Sequence, residues 1–208
     1  MKKYTREIDM KRKAAEIVYG NHFIWSGSYK NDLVSKIDLQ YTGEPDIYLK
    51  PDDGSIWKAN DTYHHDGHGN HLAFYRLPLP DFDELVDLLL NSDIQMDKSG
   101  AALVLVNEEY ADRLLVKCLE IIDGDDDLES YSGFFAALKL EKKEGVNPNR
   151  SPVMGKRYSQ VKEDHENWER VENVATDVLA AKRDALNKAP KKKGIMARIS
   201  SRFFKGSN

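Results

Sequence analysis

The longest uninterrupted apolar run in this chain is Ala101-Ala102-Leu103-Val104-Leu105-Val106, and charge interrupts the sequence on both sides of it. Crossing a bilayer as a helix takes about 20 apolar residues, so this run is far too short. Bounded by Gly100 and Asn107, it reads as a strand buried in a water-soluble body. Hydrophobic residues make up 40% of the 208 positions, enough for a core, while the charged fraction of 32% exceeds the usual share of about a quarter. One main domain plus an appendage fits this length. Met1-Lys2-Lys3 could open a secretory leader, but Arg6, Glu7, Asp9, Lys11, Arg12 and Lys13 leave no apolar stretch behind it. Cys118 is the sole cysteine, which excludes an intrachain disulfide and fits a reducing, cytoplasmic setting.

Periodicity supplies the elements. Thr5 to Tyr19 reads as a helix with Ile8, Ala14, Ala15, Ile17 and Val18 on its apolar side, stopped by Gly20-Asn21. His22 to Arg76 is β-rich. Within it, the runs 46–50 and 55–59 flank Pro51-Asp52-Asp53-Gly54, which carries hairpin-turn chemistry. His71 to Leu79 is a further strand, closed by Pro78 and Pro80. Asp81 to Asn91 is a helix, and Asn107 caps another that runs to about Asp123. Tyr131 to Leu140 is expected as a strand. The resulting fold class is α+β: a mixed or antiparallel sheet with helices packed on one face, plus a long C-terminal helix and a basic amphipathic tail. The expected divisions are a globular domain (1–143), a linker (144–158), a long amphipathic helix (159–188) and the tail (189–208). In that helix Trp168, Val171, Ala175, Val178 and Ala185 approach heptad spacing, and Lys182 breaks the series. Docking on its own domain is therefore favoured over a homodimer seam, which stays open as an alternative.

Charge is sorted along the chain. From Asp81 to Glu129 there are 15 acids against 3 bases, whereas Lys188 to Asn208 holds 7 bases and no acid. Such opposed blocks make an electrostatically selective surface, or a tail that folds back on its own acidic face. Within the tail, Ile195, Ile199 and Phe203 recur every fourth residue, with Met196 and Phe204 nearby. Lys191, Lys192, Lys193, Arg198, Arg202 and Lys205 supply cations. A helix of this pattern suits an anionic membrane surface, with apolar side chains at the acyl boundary and bases among the headgroups. The lysine run, glycine and short Ile/Phe/Lys/Arg segment resemble the C-terminal membrane-targeting helices of MinD-type bacterial ATPases over about fifteen residues. That resemblance implies peripheral attachment at the inner face of a membrane. It stops at the tail, because no Gly-rich loop ending in Gly-Lys-Ser/Thr is present. A macromolecular partner with a groove for the same helix is a second reading. Nucleic acid is a third, although it leaves the apolar residues unexplained.

Candidate chemistry is sparse. His64, His65, His68 and His71 cluster around two glycines, and imidazoles in that number can ligate zinc or another transition metal, which would suit a metal-dependent hydrolase. A loop alone supplies no rigid supporting shell. Asp66-Gly67-His68-Gly69 resembles the Asp-Gly-His-Gly element of metal-dependent protein phosphatases of the 2C type, in which the aspartate holds metal. The apolar strand that precedes the element in that family is missing here. Asp123 to Phe134 fails as a calcium loop, since the sixth position is Leu128 and the twelfth Phe134. His22 with Ser26 or Ser28 lacks a third group, and Cys118 reads as inert core. The sequence thus favours a non-enzymatic interaction protein without a cofactor, in keeping with a bacterial or phage accessory factor.

Overall fold

In the computed structural model the described residues are 17–26, 30–60, 71–124 and 127–188. The first half of the chain forms β1 (Ile17–Tyr19), β2 (Phe23–Ser26), α1 (Lys30–Lys36), β3 (Gln40–Tyr41), β4 (Ile47–Lys50), β5 (Ser55–Ala59) and β6 (His71–Leu77). The second half is helical: α2 (Phe82–Asn91), α3 (Gln95–Leu105), α4 (Ala111–Gly124), α5 (Ser132–Ala137) and α6 (Tyr158–Lys188). The strands make one sheet in the order β1-β2-β6-β5-β4-β3, antiparallel at every pairing. The fold class is α+β, as expected, with the antiparallel form of the sheet.

Side-chain alternation divides the interior. Along β2, Phe23 points to one face and Ile24 to the other. Phe23 and Leu72 join the large core built by α2 to α6. Ile24 joins Tyr48, Trp57, Ala59, Ala73 and Phe74 in a smaller core closed by Leu33, Ile37 and Leu39. A β-bulge preserves this sorting: Ile24 pairs with Phe74 and Trp25 with Leu72, leaving Ala73 as the extra residue. The β4–β5 turn is the hairpin expected at Pro51–Gly54. Gly54 takes φ 68° and donates its N–H to the Lys50 carbonyl at 2.9 Å. The Asp53 carboxylate accepts from the Ser55 N–H, and the Ser55 hydroxyl accepts from the Trp57 indole at 2.7 Å.

Three sequence expectations are corrected. Ile17–Tyr19, placed at the end of a first helix, is strand β1 paired with β2; residues 5–16 of that expected helix lie outside the described residues. β-Branched Ile17 and Val18 suit that pairing. Ala101–Val106 is not a strand but the end of α3 and its cap. Asp97, Gly100, Ala101, Val104 and Leu105 form one buried stripe at helical spacing, and Leu103 and Val106 face out. The third correction is Tyr131–Leu140, which begins at the end of a 3-10 turn (Leu128–Tyr131) and continues as α5. Phe134 and Phe135 are both buried, and a strand buried on one face would have exposed one of them. The alternation of strands and helices expected between His71 and Leu140 is accordingly replaced by strand β6 followed by helices.

Two close approaches lock α3 onto the sheet. Gly100 faces the Phe23 ring, where an added Cβ would lie 2.2 Å from Cγ. One turn earlier, the buried Asp97 carboxylate accepts from the Asn21 N–H at 2.9 Å and the His22 N–H at 3.0 Å. A buried carboxylate thereby caps the β1–β2 turn from a different element.

Helix α6 docks on its own body over most of its length. Trp168, Val171, Ala175 and Val178 enter the large core. The Trp168 indole donates to Ser151 Oγ at 3.0 Å, the Lys142 N–H donates to Thr176 Oγ1 at 2.8 Å, and Arg170 pairs with Asp123. Residues 144–157 carry no helix or strand, yet Arg150 pins them down. Its guanidinium donates to the Leu138 and Lys139 carbonyls, reaches buried Glu172 and lies over the Trp168 ring.

Lys156 extends that anchoring by bridging Asp112 at 2.6 Å and Asp164 at 2.7 Å. Burial pulls its ammonium down, but hydrogen bonds to the two carboxylates outweigh this and leave its pKa raised. Burial likewise pushes Asp112 up, and bonds from Lys156 and Ser151 outweigh that to hold it below the ordinary 3.8. A raised lysine stabilises the fold below its ordinary value of 10.5 and ceases to as pH rises through the folded pKa. A lowered aspartate stabilises above its ordinary value and ceases to as pH falls through the folded pKa. The cluster's contribution is therefore flat across neutral pH. Lys156→Met should lose about 1 kcal/mol at pH 7, the size of a half-exposed pair. In urea titrations the gap to wild type should narrow in acid, once Asp112 is protonated; a gap that widens there would contradict this account.

Candidate functional site

Of the sequence-derived site residues, only His71 falls among those described, at the start of β6 opposite Ser26. His64, His65 and His68 lie outside the described residues, as do Lys191, Lys192, Lys193, Ile195, Met196, Arg198, Ile199, Arg202, Phe203, Phe204 and Lys205. Among the described residues no group of three or more His, Cys, Asp or Glu side chains is placed to hold a metal ion. No helix there is long and apolar enough to cross a membrane. Cys118 is buried and its thiol is pushed up to about 12, chiefly by desolvation, so it stays protonated and unreactive.

The described surface does offer a built groove where α6 ends. Helix α5 stops at Ala137, and Lys139 takes a left-handed conformation, φ 54°, that turns the chain back along α6. Arg150 holds this turn through the Leu138 and Lys139 carbonyls at 3.3 and 3.0 Å. The returning segment then lies beside Leu179, Lys182, Arg183 and Leu186. At spacings of three, one and three residues, these occupy one side of the last turns of α6. Together with Ala136, Lys139, Glu141 and Lys143 they line a groove of about 440 Å³.

Its chemistry is two-sided. Ala136, Leu179 and Leu186 make an apolar floor, and Leu186 is 68% exposed. Four bases and one acid surround it, a formal excess of three positive charges. Two of the bases are held in place: Lys182 donates to Ser132 Oγ at 2.8 Å, and Arg183 pairs with Glu141. Lys139 and Lys143 make no ion pair with another described residue. Among the described residues the groove therefore presents two cations held by partners and two ammonium groups without an ion pair.

Sequence reasoning passed over this groove. It treated Lys182 as a break in the apolar series of α6, and that break was the available signal. A base inserted among Leu179 and Leu186 marks where the helix stops burying its stripe and starts presenting it.

A second groove, about 640 Å³, runs along Leu77-Pro78-Leu79-Pro80, whose first peptide bond is cis, and the outer side of α2. Its acids are drawn into local structure. Asp83 pairs with Arg113, Glu84 completes the capping box of α2 with Asp81, and Asp87 accepts from Asn91. Comparison with models of known protein families, with curated proteins and with solved structures returns no match. The two grooves thus differ in what they leave available: the α2 side uses its carboxylates internally, and the α6 end displays its bases.

Proposed function

We propose that this chain is a non-enzymatic accessory protein held at an anionic membrane surface, on the cytoplasmic face, by its basic amphipathic tail, leaving the α+β body to recognise a macromolecular partner. One observation carries the reading: the last turns of α6 already display apolar and cationic side chains together, and the tail follows directly from Lys188. Groove and tail share one chemistry over consecutive stretches of chain. The six bases from Lys191 to Lys205 contribute about 1 kcal/mol each beside an anionic surface. Burial of Ile195, Ile199 and Phe203 adds to this, and the ordering of the tail subtracts from it. Binding of this kind is reversible and salt-sensitive, and two tails on one particle would strengthen it through avidity.

Co-sedimentation with vesicles tests the reading. Full-length chain should pellet with vesicles rich in phosphatidylglycerol and stay in solution with phosphatidylcholine alone. Removing residues 191–208 should abolish most of the pelleting while leaving the thermal unfolding midpoint unchanged, because among the described residues the last ion pair of α6 is Arg183 with Glu141. Equal pelleting of the two forms would refute attachment by the tail.

A further inference from the structure

We infer that the groove at the end of α6 is a binding site for a single anionic phospholipid, taking its phosphodiester headgroup at Lys139 and Lys143 and its first acyl carbons on Ala136, Leu179 and Leu186. This rests on the membrane reading above and makes it specific. An amphiphile with one negative charge next to hydrocarbon is the ligand class whose two halves match the two halves of the groove.

The physical case has three parts. Charge complementarity comes first: a formal excess of three positive charges around an apolar floor attracts an anion, and Lys139 and Lys143 make no ion pair among the described residues, the Glu141 carboxylate being taken by Arg183. Preorganisation is second. Ser132 and Glu141 fix Lys182 and Arg183, and Arg150 fixes the turn that carries Lys139, so the ordering left to a ligand is chiefly that of the Lys139 and Lys143 side chains. Size is third. About 440 Å³ falls at the small end of ligand pockets and accommodates a headgroup with the start of its chains, the rest remaining in the bilayer. The exposed Leu186 continues the floor outward, towards the end of the helix from which the tail departs.

The test uses the full-length chain, with Leu179 and Leu186 methyl groups observed by NMR. Dihexanoyl phosphatidylglycerol is titrated below its micelle concentration, with dihexanoyl phosphatidylcholine and glycerol 3-phosphate in parallel. Saturable shifts of both methyls are expected with the anionic lipid, and much weaker ones with either control. Lys139→Asn with Lys143→Gln should weaken that binding roughly tenfold to thirtyfold, two bases lost at the usual contribution of each. Asparagine at 139 tolerates the left-handed backbone, so the fold is kept. Lys139→Arg with Lys143→Arg should restore most of the affinity.

Absence of saturable shifts with the anionic lipid would overturn the site. Equal response to phosphatidylcholine would do the same by reducing it to an apolar patch, and glycerol 3-phosphate binding as tightly would make it a free-phosphate site. Vesicle pelleting that survives while the methyls stay silent removes the groove and spares the tail. Saturable groove binding without any pelleting supports the site and removes the tail as the attachment.

Discussion

Trp168→Ala should lower the unfolding free energy by about 4 kcal/mol, in the range found for aromatic truncation in a packed core. Trp168 is completely buried, and its loss leaves a cavity where α6 meets the large core. Two further losses accompany it. The Ser151 hydroxyl no longer receives the indole N–H, and the Arg150 guanidinium loses the ring it covers. Arg150 also holds the Leu138 and Lys139 carbonyls and pairs with Glu172, so the damage should spread into residues 144–157. For a chain of this size each kcal/mol moves the melting midpoint by about 2–4 °C, and a fall of roughly 8–16 °C is expected in calorimetry. Trp168→Phe keeps most of the volume and drops only the hydrogen bond, and should lose less than half as much. Equal destabilisation by both replacements would show that the hydrogen bond, and not the cavity, dominates.

Asp97→Ala is the second large effect, about 3 kcal/mol. The carboxylate is 1% exposed and is the acceptor for two backbone N–H groups in the β1–β2 turn. Hydrogen bonds to a charged group contribute about 1.5–3 kcal/mol each, and a donor left without an acceptor loses more than the bond itself. Part of the loss is recovered because Asn21 is exposed and can turn to water. Asp97→Asn presents one acceptor and one donor to two donors, so it should recover less than half of the deficit. Hydrogen exchange gives a local readout: the amides of Asn21 and His22 should lose protection before those of β5. Unchanged protection there would mean the carboxylate is not holding the turn.

The residues explain which parts of the fold were legible. Pro51–Gly54 specifies a turn by backbone chemistry alone, and β4 and β5 meet there as that chemistry requires. Asp81 with Glu84 specifies a helix start in the same local way, and α2 begins where the capping box puts it. The misread segments, 101–106 and 131–140, share a different property. Their apolar residues are continuous or adjacent, so no period is visible, and the choice between strand and helix passes to tertiary packing. For α3 the decision came from Gly100 against Phe23 and Asp97 under the β1–β2 turn, contacts about 75 residues apart in sequence. The candidate groove was illegible for a related reason. Its cations come from two segments, 139–143 and 182–183, that meet only because α6 returns along α5. Neither segment stands out in a sequence where charge is common throughout.

The division of the chain into a sheet first and helices second has a consequence for biosynthesis. Leu114, Cys118 and Phe135 belong to the same cluster as Trp168, and that cluster is incomplete until α6 has emerged. A nascent polypeptide would thus leave the greasy faces of α2 to α5 unsheathed until α6 has been made. Premature termination anywhere upstream of Trp168 would release a product that is sticky as well as short, the sort that chaperones and proteases recognise.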